Sequence, residues 1–194
     1  MRIKNRIFAI LMCSAMGLSM SACSAAESPD RAYPITLGSA EVIVGKTQVG
    51  ALYDIGCQVA ITVGGSIAGT TNWATSVLSQ DMMLGKKTTY ENFYIMKDGI
   101  KQASVNVTTK KAVPLKEAVI GELEIDTSVQ PTEDITFDGI ALSDLTQEKF
   151  LQKVADSVAE QDKAAASYSG NKYSVSATWN EDGSIATLQM KKNK

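Results

Sequence analysis

Glu122, Glu124 and Asp126 stand at every second position of the segment VIGELEID, so a strand here carries three carboxylates on one face. Such a row, with Glu133 and Asp134 downstream, has the oxygen chemistry to hold a calcium ion. A solvated strand face accounts for the same row, because no loop of alternating Asp or Asn with Gly accompanies it. No metal and no cofactor is therefore expected. Three further constellations come close to chemistry and each lacks an essential part. Gly45-Lys46-Thr47 ends like a phosphate-binding loop, but Ala40 occupies the place of that loop's first glycine. Gly64-Gly65-Ser66-Ile67-Ala68 approaches a nucleophile elbow without its last glycine. Ser169 and Lys172 have a serine–lysine spacing, but they precede a strand pattern instead of opening a helix. The chain has no histidine, which excludes an imidazole base, a His metal ligand and a Ser-His-Asp triad. No catalytic residue is assigned, and the chain reads as a non-enzyme.

Trp73 stands out in the polar stretch GTTNWATS as a candidate interaction surface, where an amphipathic ring meets a partner or a glycan; a ring folded back onto the core is the alternative. Tyr90, Phe93, Tyr94 and Trp179 fall in alternating segments and read as core. Cys57, in CQVAITV, reads as a buried structural thiol. Lys plus Arg number 19 and Asp plus Glu 21, a balance with no pull on a phosphate backbone, so nucleic acid is not an expected partner.

The first residues specify an address. Arg2, Lys4 and Arg6 precede an uncharged run, Ile7 to Met20, and then Ser21, Ala22 and Cys23. Basic, apolar and small segments in that order form a secretory signal, too short to stay as a spanning helix. Met20-Ser21-Ala22-Cys23 resembles a bacterial lipobox, with Met20 where Leu is usual. The resemblance implies cleavage after Ala22 and a diacylglycerol on Cys23. An ordinary signal peptide cut after Ala25 or Ala26 is the alternative. Cleavage after Ala22 would leave 16 basic against 21 acidic residues, so lipid and not net charge must hold the protein to a membrane. The expected location is the outer face of the bacterial cell membrane.

The elements that position these residues fall into two similar stretches. VIVGKTQVGAL (42–52) matches ITFDGIALSDL (135–145) at an offset of 93, and two later segments each contain an Asp-Gly turn, Asp98-Gly99 and Asp182-Gly183. Thr146 is placed to cap a helix of four or five turns carrying Phe150, Leu151, Val154 and Val158 on one stripe. The predicted fold class is α+β: two tandem small modules, each an antiparallel sheet covered on one face by a helix. The predicted divisions are a signal peptide at 1–22, a lipidated flexible tether at 23–34, a first module at 35–126, a linker at 127–134 and a second module at 135–194. Within the first, a helical stub at 49–55 precedes a strand at 57–63 and a loop through 79.

The segments ITLGSAEVIVGKTQVGALYDIG, KKAVPLKEAVIGELEI and ITFDGIALSDLT, behind the lipobox start, resemble uncharacterised surface lipoproteins of gut Firmicutes. The repeated helix-then-hairpin unit is similar at fold level to the β-lactamase-inhibitor-protein architecture, which carries no statement of activity. The expected function is that of a lipid-anchored surface protein binding a protein, peptide or envelope component. A hydrolase or accessory subunit acting on envelope polymers is the alternative.

Overall fold

A computed structural model describes residues 30–67, 70–86, 89–128, 134–154 and 160–194. The chain starts with a hairpin of β1 (Ile35–Leu37) and β2 (Ala40–Val42). Ile35, Leu37, Ala40 and Val42 all point inward, while Thr36 and Glu41 alternate with them toward solvent. The stub α1 (Gly50–Tyr53) follows and stops at Gly56, whose φ of 81° ends the turn. Then come β3 (Gln58–Ile67), β4 (Thr70–Val77), β5 (Met83–Leu84), β6 (Thr89–Lys97), β7 (Ile100–Thr108), β8 (Val113–Pro114) and β9 (Val119–Asp126). A second hairpin, β10 (Ile135–Phe137) and β11 (Ile140–Ala141), leads into α2 (Gln147–Val154). The chain closes with β12 (Glu160–Gln161), β13 (Ala165–Ser169), β14 (Tyr173–Trp179) and β15 (Ile185–Lys192).

Nine strands form one antiparallel sheet in the order β12-β13-β14-β15-β9-β7-β6-β3-β4. A four-stranded sheet, β11-β10-β1-β2, joins the two short hairpins through β1 and β10, with Ile35 opposite Phe137 and Leu37 opposite Ile135. The inner faces of both sheets contribute to one core, from Val59, Ile95, Leu123 and Leu188 on the large sheet to Ile35 and Phe137 on the small one. An aromatic column crosses it. Tyr33 meets Phe137 at 5.4 Å between ring centroids, Phe137 meets Phe150 at 5.6 Å, and Phe150 meets Trp179 edge-on at 5.6 Å. The Trp179 Nε1–H donates to the Leu145 carbonyl at 2.8 Å, so the one polar atom of that ring is satisfied inside the core.

This architecture corrects the predicted fold class. Among the described residues the molecule is mostly β, with only two short α-helices, and no helix covers each of two separate sheets. β9 pairs with β15 through Leu123–Met190 and Glu124–Gln189, so strands from both sides of 127–134 share one sheet. The segment expected to continue a long helix is already strand at 160–161 and 165–169; residues 155–159, with Val158, lie outside the described residues. Alanine favours helix at 164–166, but Ala166 and Tyr168 alternate inward and pair with Ala177 and Val175, and the tertiary pairing overrides the propensity. The expected loop through 79 is also strand: β4 pairs with β3 residue for residue, from Ala60–Val77 to Ile67–Thr70. The offset-93 alignment does not superpose elements, because Val44 sits in a turn and Phe137 in β10.

Other local readings hold. Thr146 Oγ1 accepts from Lys149 N–H at 3.3 Å, and Phe150 and Val154 are buried. Asp98 and Gly99 have φ of 51° and 77°, the two positive values that a tight β6–β7 turn needs. One does not: period two puts Val119, Leu123 and Ile125 on one face of β9, but a register shift at Asn106/Val107 places Ile120, and not Val119, beside Leu123 and Ile125 in the core. Among the described residues no helix is long and apolar enough to cross a membrane.

Candidate functional site

The outer face of the large sheet carries the polar half of each alternating strand. One row of paired residues crosses six strands: Tyr94, Ser104, Glu124, Gln189, Ser176 and Ser167. These side chains are half-buried or exposed. The next row toward one end of the strands contains Asn106, Glu122, Lys191 and Ser174.

Glu122 is the organising group. Its carboxylate accepts from Asn106 Nδ2 at 2.9 Å and from Gln189 Nε2 at 2.8 Å, and Lys191 Nζ lies 3.5 Å away. The side chain is 17% exposed, against 51% for Lys191. Gln189 Nε2 also reaches Glu124 at 3.5 Å, so one amide stands between two carboxylates. Strand pairing fixes all three partners, because β7 and β15 are both hydrogen-bonded to β9. Beside Glu122 a cavity of about 280 Å³ opens between Thr89, Glu91, Asn106, Thr108 and the lysines at the end of β15. Hydroxyl, amide, carboxylate and ammonium groups converge there, a set suited to a ligand rich in hydroxyl or amide groups. Toward the β6–β7 turn, Lys101 Nζ lies 4.5 Å from the Tyr94 ring centroid.

The expected acidic row is present, but its members serve separate partners. Asp126 accepts from the Ser128 hydroxyl at 2.6 Å and from its N–H at 3.0 Å, and these bonds hold the carboxyl below its ordinary pKa. Glu133 lies outside the described residues, and Asp134 is exposed ahead of β10. Among the described residues no three acidic, His or Cys side chains gather to hold a metal. Trp73 lies on β4 opposite Gly64, with its side chain outside the described atoms. Cys23 also lies outside the described residues. Ser66 is on β3, in a continuous strand and not an elbow. Gly45-Lys46-Thr47 forms a corner closed by Thr47 Oγ1, which accepts from Ile43 N–H at 2.8 Å.

Cys57 is 3% exposed. Burial raises its thiol pKa; Lys97 partly offsets this and Asp98 adds to it. The turn between Ser169 and Lys172 has a structural use the sequence did not reveal. Asp30 accepts from the N–H groups of Asn171, Lys172 and Tyr173 at 2.9–3.1 Å and so pins the start of the described chain to this turn. A Cβ at Gly170 would collide with that carboxylate. Asn106, Gln189 and Lys191 were also missed; their one signal is polar alternation, which every half-wet strand shares.

No protein-family model, no curated protein and no solved structure matches the chain.

Proposed function

We propose that the protein is exported, anchored by lipid on Cys23, and binds a hydroxyl- or amide-rich component of the cell envelope, protein, peptide or polymer, on the outer face of its large sheet. The observation that carries the binding reading is the Glu122 network, a carboxylate held by Asn106, Gln189 and Lys191 beside a cavity of about 280 Å³. Fixed donors and acceptors of this kind recognise a polar ligand with little ordering cost. The carboxylate arrangement favours binding over the hydrolase reading, since a glycoside hydrolase needs two carboxyl groups flanking the scissile bond. Here a single amide is shared between Glu122 and Glu124.

The test is sedimentation with purified envelope polymers and defined peptides. Binding by the wild type, with Glu122→Ala and Asn106→Ala weakened at least about tenfold by loss of charge-assisted hydrogen bonds, supports the reading. Equal binding by wild type and variants, or turnover of any of these substrates, refutes it. Metabolic labelling with a fatty-acid analogue should mark the wild type and not Cys23→Ser.

A further inference from the structure

The lysines are distributed along the strand axis in a way that net charge hides. Lys110, Lys111 and Lys192 line one depression with Gly45, and Lys191, Lys192 and Lys194 line the cavity beside it. Lys46 follows Gly45, where a Cβ would run into the Lys192 side chain. All six are exposed. Around them stand Glu91, Glu117 and Glu122, and Glu122 is already engaged with Lys191. At the opposite end of the strands the excess reverses: Asp98, Asp126, Asp162, Glu181 and Asp182 face Lys97, Lys101 and Lys163. The chain enters at the lysine end. Asp30 is bonded to the turn at 171–173, and Tyr173 pairs with Lys192.

We infer that this lysine end is the surface on which the protein rests against anionic phospholipid, with its strands upright on the membrane. The inference deepens the lipid-anchor reading and rests on it. Six residues separate Cys23 from Asp30, seven α-carbon steps with a reach of at most about 25 Å, so a lipid on Cys23 keeps the entry point close to the headgroups. Lysines near an anionic leaflet are attracted within about one Debye length, whatever the net charge of the whole molecule. The acidic end then points away from the membrane. Glu122, three residues from the start of β9, stands about 10 Å along the strand from that end. The binding face is thereby held beside the lipid surface, and not turned toward it.

The test couples the chain from Cys23 onward, which holds every described element, through the Cys23 thiol to a maleimide lipid in vesicles. Cys57 is buried and stays unreacted. Lysine acetylation is then read residue by residue on phosphatidylglycerol-rich and on wholly phosphatidylcholine vesicles. Lys110, Lys111 and Lys192 should label on the order of fivefold more slowly on the anionic vesicles, with the difference lost at high salt. Lys149 and Lys163 should label alike on both. In the triple variant Lys110→Glu, Lys111→Glu, Lys192→Glu, protection of Lys46 and Lys194 should disappear. Equal labelling on the two lipids, protection centred on Lys163, or protection retained in the triple variant overturns the inference. So does protection by a soluble anionic polymer with no response to lipid charge. Because the coupling is chemical, the outcome is independent of acylation in the cell, which the fatty-acid labelling of Cys23→Ser tests alone.

Discussion

Replacing Phe150 by Ala should remove the ring that joins α2 to both sheets. Phe150 is fully buried and lies between Phe137 on the small sheet and Trp179 on the large one, 5.6 Å from each. Truncation to Ala forfeits the transfer free energy of the ring and leaves a cavity, together about 3–5 kcal/mol. Collapse is restricted, because hydrogen-bonded strands fix Phe137 and Trp179, so the upper half of that range is expected. Against a stability of roughly 5–15 kcal/mol this is a large fraction. At about 2–4 °C per kcal/mol for a chain of this size, a loss of 4 kcal/mol lowers Tm by about 8–16 °C. Urea unfolding followed by tryptophan emission, in a Trp73→Phe background, reads both stability and the surroundings of Trp179. The emission of Phe150→Ala should move to the red as the edge-on contact is lost. Phe150→Leu should cost less, about 1–2 kcal/mol, and exposed Lys149→Ala within about 0.5 kcal/mol. A loss below about 1 kcal/mol for Phe150→Ala, or an unchanged Trp179 emission, would refute the account of the aromatic column.

Val154→Asp should prevent folding, because a fully buried position would receive an unpaired carboxylate; a native-like circular dichroism melt would contradict this. Trp179→Phe should cost about 1–3 kcal/mol by leaving the Leu145 carbonyl without its donor, measured by urea unfolding. Gly99→Ala should cost about 1–2 kcal/mol through its φ of 77° alone, since no atom stands where its Cβ would lie. Desolvation raises the Asp30 carboxyl pKa, but three backbone N–H donors and the Lys172 charge outweigh it, and the net shift is downward. A depressed folded pKa contributes stability above the unfolded value of about 3.9 and loses it as pH falls through the folded value. The Tm difference between wild type and Asp30→Asn should therefore be constant near neutral pH and vanish in acid; a difference that grows as pH falls would contradict the bonding seen.

Local chemistry made some elements legible before any coordinates. Asp98-Gly99 demanded a tight turn because only such residues accept two successive positive φ values between apolar runs. Thr146 marked a helix start and Gly56 a stop for reasons confined to one turn of backbone. The row Glu122, Glu124, Asp126 was placed on one strand face by period two alone. What each carboxylate does there was not legible, since Glu122 takes its partners from β7 and β15, 16 and 67 residues away in sequence. Pairing of β9 with β15 was hidden for the same reason: alternation says which face is wet, not which strand lies alongside. The Ala-rich segment after α2 shows the limit most plainly. Its propensity pointed to helix, and only pairing with the edge of β14, itself held in the large sheet by β15, turned it into strand.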